Sequence, residues 1–177
     1  EVEGVSTILE GRFRPAHFRG VTTVVAKLLN ITKPHVAVFG QKDAQQVFII
    51  RKMASELNLD VTVLVAPIVR EDDGLAMSSR NAYLNETERA RVTVLFKSLQ
   101  MAQKRIEEGE RSAVALKGEI ERMIMAAEPT QLDYIAFVQP DLFKEIQHVE
   151  PPSVLVALAV RFGSTRLIDN MIVGVAS

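Results

Sequence analysis

The sequence predicts an α/β region followed by a small α+β domain, and three patterns carry that expectation. Val36-Ala37-Val38-Phe39 is an unbroken apolar run of strand length, the pattern of a strand buried on both faces. A helix-length segment separates it from a second β-branched run, Asp60 to Ala66. Beyond residue 69 the order changes, with two amphipathic helical segments followed by three strand-like stretches.

Taken in order, Val21 to Asn30 places apolar residues at helical spacing, and Lys33-Pro34 stops it. After the first strand, Gly40-Gln41-Lys42 leads into a helix from Asp43 to Leu57, its stripe made by Val47, Ile50, Met53, Ala54 and Leu57. Strand, helix and strand of these lengths form a right-handed βαβ unit. Both strands then end at one edge of a parallel sheet, where open α/β sheets bind ligands. Arg70-Glu71-Asp72-Asp73-Gly74 is a polar turn at the expected boundary between a domain over residues 1–69 and one over 70–177. A long helix starts at Asn85, where Asn85-Glu86-Thr87-Glu88 fits a capping box, and runs through Val92, Leu95, Phe96, Leu99, Ala102 and Ile106 to Gly109. A second covers Ser112 to Ala127 with Leu116, Ile120, Met123 and Ile124. Strands are expected over Leu132 to Val138, Ser153 to Val160 and Arg166 to Val173.

Composition narrows the function. Of 177 residues, 47% are hydrophobic and 24% charged, a globular mixture rather than a disordered one. With 21 basic against 22 acidic side chains, a broad nucleic-acid footprint is not expected. The absence of cysteine excludes disulfides, thiolate nucleophiles and Cys-ligated zinc. His17, His35 and His148 lie too far apart for a local metal motif, so no metal-ligating residue is assigned. The longest apolar run, Val154 to Val160, is too short to span a bilayer, and Glu1-Val2-Glu3 does not open a signal peptide. A cytoplasmic protein is expected. Since the first residue is not Met, the chain reads as a processed product or a piece of something longer.

Chemistry concentrates in two places. Gly40-Gln41-Lys42-Asp43 lies between a buried strand and a helix start, where glycine admits a ligand, the helix N-terminus favours anions and Lys42 adds a charge. Asp43 and Gln46 equally fit a capping box, a purely structural role. Neither G-x-G-x-x-G nor a Walker A sequence occurs. Ser78-Ser79-Arg80 offers two hydroxyls and a forked guanidinium to a polyphosphate, or is a solvated interdomain loop. Arg12, Arg14, His17 and Arg19 form a basic cluster, and Arg166-Leu167-Ile168-Asp169-Asn170 reads as a strand with a structural charged pair.

Four segments, in order and spacing, resemble the pantoate–β-alanine ligase family along essentially the whole chain. They are Arg14 to Val21 (RPAHFRGV), Phe39 to Gln46 (FGQKDAQQ), Val69 to Asn81 (VREDDGLAMSSRN) and Arg166 to Asn170 (RLIDN). The resemblance implies a Rossmann-like nucleotidylyltransferase domain with a smaller C-terminal lid, usually dimeric, that uses ATP and Mg2+. In that chemistry pantoate attacks the α-phosphate, pyrophosphate leaves, and the amine of β-alanine displaces AMP from pantoyl adenylate. By motif, Gly40, Gln41, Lys42 and Asp43 would bind ATP, with Lys42 on the phosphates and Asp43 on the ribose. Val69 would lie by the adenine. Met77, Ser78, Ser79 and Arg80 would close over the polyphosphate as a K-M-S-K-S loop does in related enzymes, and Lys42, Ser78, Ser79 and Arg80 carry the catalytic expectation. Gln46 and Arg14 would meet pantoate.

The family's N-terminal H-x-G-H motif is absent from these residues. The chain therefore reads as the C-terminal portion of a Rossmann-like ligase, not expected to turn over alone. Another adenylate-forming ligase and a non-catalytic nucleotide-binding or dimerisation module are the alternatives.

Overall fold

A computed structural model describes residues 2–176. The chain divides into two compact units, Glu1–Ile68 and Val69–Ser177.

The first unit contains α1 (Glu10–Phe13), α2 (His17–Thr32), β1 (Val36–Gly40), α3 (Ala44–Glu56) and β2 (Thr62–Ala66). Helix α2 stops where Lys33 turns left-handed, its N–H donating to the Leu29 carbonyl at 2.9 Å, one residue before Pro34. β1 and β2 pair in parallel, Val36 opposite Thr62 and Gly40 opposite Ala66, so both run out at the same edge. Helix α3 packs against α2 and β1 and buries Val47, Ile49, Ile50, Met53 and Ala54. Leu57, expected on that stripe, caps the helix and is exposed.

Strand β1 corrects the expectation of burial on both faces. Its residues alternate, with Val36 and Val38 respectively 48% and 62% exposed. The continuous apolar run reported a strand made for two covered faces, whereas no described element covers the Val36–Val38 face. The start of α3 also differs from the capping-box reading. Residues Gln41–Asp43 form a 3₁₀ turn, and the Asp43 side chain makes no capping hydrogen bond.

The second unit contains α4 (Glu86–Arg91), α5 (Val94–Glu107), α6 (Ala113–Ala126), β3 (Gln131–Gln139), β4 (Lys144–Glu145), β5 (Ser153–Phe162) and β6 (Thr165–Gly174). The Asn85–Glu88 capping box is present in both directions. The single long helix expected from Asn85 is instead two. At Val92–Thr93 the ladder tightens, Leu95 N–H bonding the Val92 carbonyl, while the Thr93 hydroxyl donates to the Ala90 carbonyl. Two consecutive β-branched residues favour such a break. The strands form an antiparallel sheet ordered β4-β3-β5-β6, and the two-residue β4 was not legible in the sequence. Val154, Val156, Leu158 and Val160 of β5 share one core with Leu95 and Leu99 of α5 and Leu116, Ile120 and Ile124 of α6.

Leu116 is fully buried in that core, so Leu116→Ala removes apolar contacts and leaves a cavity. The expected loss is about 2–5 kcal/mol, read as a lower urea midpoint. An unchanged midpoint would contradict the packing.

Candidate functional site

In the first unit Gly40, Gln41, Lys42 and Asp43 lie at the outgoing end of β1, the edge at which β2 also ends. Gly40 closes β1 with an extended backbone (φ −80°, ψ 136°), so no left-handed turn demands glycine there. A Cβ built on it meets nothing within 4 Å. Neither conformation nor packing explains the glycine, and open space lies over its backbone. Gln41 and Lys42 follow, half-buried in the 3₁₀ turn, with Asp43 exposed at its end. Gln46 is half-buried on the first turn of α3. Arg14 ends α1, exposed, its N–H donating to the Glu10 carbonyl at 2.9 Å.

In the second unit, residues 69–77 fold back on themselves as a small hairpin. Arg70 and Ala76 form an antiparallel bridge, and Met77 N–H donates to the Val69 carbonyl at 2.9 Å. Two candidate residues at opposite ends of this segment thus become neighbours, both with exposed side chains. A 3₁₀ turn over Ser79–Tyr83 follows, capped by Ser78, whose Oγ accepts the Arg80 N–H at 3.2 Å. Ser79 and Arg80 are exposed. Met77, Ser78, Ser79 and Arg80 are therefore presented as one surface strip.

What holds the hairpin is a set of charged contacts that sequence reasoning left unassigned. The Arg70 guanidinium grips Asp169 of β6 with two hydrogen bonds of 2.7 and 2.9 Å. It also donates to the Gly74 carbonyl at 3.0 Å and lies 4.1 Å from the centroid of the Phe96 ring. Asp169 sits opposite Leu158 in the sheet register, on the core face, and is 2% exposed. A carboxylate there requires a partner, and removing one member of such a pair costs about 3–5 kcal/mol. Gly74 is needed for the fit. Its φ is +91°, and a Cβ would collide with the Phe96 ring. Expected as a structural pair within β6, Arg166 and Asp169 in fact serve separate partners, Arg166 bonding Asp133 at 2.6 Å.

The hairpin is tied to α4 by Arg89, which bonds Glu71 at 2.6 Å and Asp73 at 2.5 Å. Asn81 donates to the other Glu71 oxygen at 2.7 Å and to the Ala76 carbonyl at 3.2 Å, which closes the loop behind Ser78–Arg80. The Asn81 amide first, then Arg89, holds the Glu71 carboxyl below its usual range. Arg89 is the main cause of the same downward shift at Asp73, and the two carboxylates raise Arg89 in return. An acidic turn eighteen residues from an arginine was a visible signal for this contact. Arg70 and Asp169 lie 99 residues apart and left none.

Lowered carboxyl pKa values stabilise the folded loop above the unfolded pKa, and that stability is lost as the pH falls through the folded one. Acidification below about 4 should therefore release the hairpin, seen as faster amide exchange at Leu75 and Met77. Arg89→Met should weaken that acid-dependent step, the Asn81 contribution at Glu71 remaining. An identical pH profile in the variant would reject the assignment.

The family model for pantoate-beta-alanine ligase matches residues 1–172. The pantothenate synthetase of Chloroherpeton thalassium is 54% identical over 171 residues, covering 96% of this chain and 60% of that protein. The enzyme of that name from Acetivibrio thermocellus is 51% identical over 174 residues, 98% of this chain and 62% of its own length. The chain thus spans about three-fifths of the curated relatives it matches. The crystal structure of pantothenate synthetase from Thermus thermophilus superposes with a TM-score of 0.91 at 37% identity, over 97% of this chain and 62% of that one. A Francisella tularensis pantoate-beta-alanine ligase, solved with beta-gamma ATP and beta-alanine, gives a TM-score of 0.66 at 30% identity, over 97% and 56%.

Proposed function

The chain belongs to the pantoate-beta-alanine ligase family, and from that premise we propose that the full-length protein joins pantoate to β-alanine with ATP. The observation that carries the reading is Gly40, a glycine required by neither conformation nor packing, at the outgoing edge of two parallel strands and directly before Gln41-Lys42-Asp43. Open α/β sheets receive ligands at that edge, and a backbone without a side chain lets a phosphate come close. The failure of Asp43 to cap α3 supports a ligand role for its carboxylate, here on the ribose. The ligands in the Francisella structure support ATP and β-alanine as substrates.

In this reading a pantoate carboxylate oxygen attacks the α-phosphorus and the bond to pyrophosphate breaks. Lys42 stabilises the charge that develops on the phosphates, and Gln46 and Arg14 orient pantoate. Val69 lies by the adenine while Met77, Ser78, Ser79 and Arg80 cover the polyphosphate. The β-alanine amine then attacks the acyl carbon and AMP departs. Mg2+, as the companion of ATP, neutralises phosphate charge when bound. The 177 residues hold no H-x-G-H sequence, so turnover is proposed for the full-length protein. A homodimer in the cytoplasm belongs to the same reading. Among the described residues no helix is long and apolar enough to cross a membrane.

Lys42→Ala in the full-length protein should lower pantoate-dependent pyrophosphate exchange by about two to three decades, the usual loss for one donor to a reacting oxyanion. Exchange at the parent rate would reject the role. Gln46→Ala should weaken pantoate by about 1–3 kcal/mol and leave ATP affinity unchanged. Because Gln46 makes no helix-capping bond, thermal stability should hold, and a lowered Tm with normal pantoate affinity would return it to a structural role.

A further inference from the structure

We propose that Gln45 is a positioning residue that fixes the spacing between Gln46 and Arg14, the two groups assigned to pantoate; the proposal rests on the ligase reading above. Gln45 is 5% exposed on the first turn of α3, and its side chain reaches the segment around the start of α1. Its Oε1 accepts the Glu10 N–H at 3.0 Å. Its Nε2 donates to the Val5 carbonyl at 2.7 Å and the Ile8 carbonyl at 2.9 Å. Both amide donors and one acceptor site are thereby used on backbone groups 35 to 40 residues away.

Two features make these bonds a clamp rather than ordinary core satisfaction. First, they grip the chain on either side of Leu9, whose positive φ of 45° with ψ −116° is a backbone conformation that residues other than glycine rarely adopt. Such a backbone persists only where its surroundings over-determine it. Gln45 holds the carbonyl before Leu9 and the N–H after it. Second, the gripped N–H is the start of α1, and the Arg14 N–H closes that single turn on the Glu10 carbonyl. From Gln45 to Glu10 to Arg14 the path is hydrogen-bonded throughout, and Gln46 is the next residue along α3. Gly11 completes the fit, since a Cβ there would collide with the Ser6 carbonyl. A glutamine is required because only an amide of this length can accept from one backbone group and donate to two others.

The test uses the full-length protein with Gln45→Glu and Gln45→Met. Each is titrated calorimetrically with ATP and with pantoate, and hydrogen exchange at the Glu10 amide is followed alongside. Gln45→Glu keeps the shape but loses both donors and sets a carboxylate against two carbonyls. Gln45→Met keeps the length without any charge. The expected result is an increase of at least about tenfold in the pantoate Kd in both, an ATP Kd within about twofold of the parent, and faster Glu10 exchange. Unchanged pantoate affinity overturns the positioning role, and unchanged Glu10 exchange overturns the clamp. Equal weakening of both ligands in Gln45→Met, or loss of the fold in both variants, assigns Gln45 to stability alone and also overturns it. A parent protein that binds ATP but not pantoate defeats the substrate reading instead, and the Glu10 exchange then decides the clamp by itself.

Discussion

The paired hydrogen bonds between Arg70 and Asp169 are the constraint on which the second unit's candidate surface depends. Asp169 lies on the core face of β6, so its charge would be intolerable without a partner. Arg70 supplies that partner from the base of the hairpin, and in doing so fixes where the hairpin leaves the sheet. The remaining features follow from this choice. Phe96 lies under the guanidinium, Gly74 must lack a side chain to pass over that ring, and Leu75 and Ala76 are buried as the hairpin returns. Arg89 and Asn81 then secure the tip and the far end.

The two units use one design with different chemistry. Three exposed or half-exposed candidate residues are each a chain neighbour of a residue that is held tightly. Val69 precedes Arg70, Arg80 precedes Asn81, and Gln46 follows Gln45. The held residue makes several hydrogen bonds within the protein, which restrains the backbone from which its neighbour projects. Preorganisation of this kind matters because catalytic gain depends on groups being in place before the ligand arrives. In the second unit the restraint includes ion pairs, and those of Glu71 and Asp73 with Arg89 weaken in acid. In the first it is a neutral amide, independent of pH over the ordinary range.

Much of this was legible in the sequence where the signal is local. The parallel pair β1–β2, the Asn85–Glu88 box and the α6 stripe of Leu116, Ile120 and Ile124 appear as spacing implies. So does the gathering of Gly40 to Asp43 at one sheet edge, which follows from parallel strands alone. Besides β4 and the break between α4 and α5, three things were not legible. Burial of Val36 and Val38 depends on what lies over the sheet, which an apolar run does not report. The capping role of Asp43 depends on whether the helix opens as α or as a 3₁₀ turn, and both openings suit the same residues. The partners of Arg70 and Gln45 lie far along the chain, where no periodicity links them.

The proposed nucleotide role of Gly40 to Asp43, at the outgoing edge of β1 and β2, is the central claim. The most direct measurement is an ATP titration of the isotopically labelled protein followed by amide resonances. Saturable shifts are expected at Gly40, Lys42 and Asp43, while the buried face of α3 around Ile49 and Ile50 stays still. Saturable binding that leaves Gly40, Lys42 and Asp43 unmoved would contradict it.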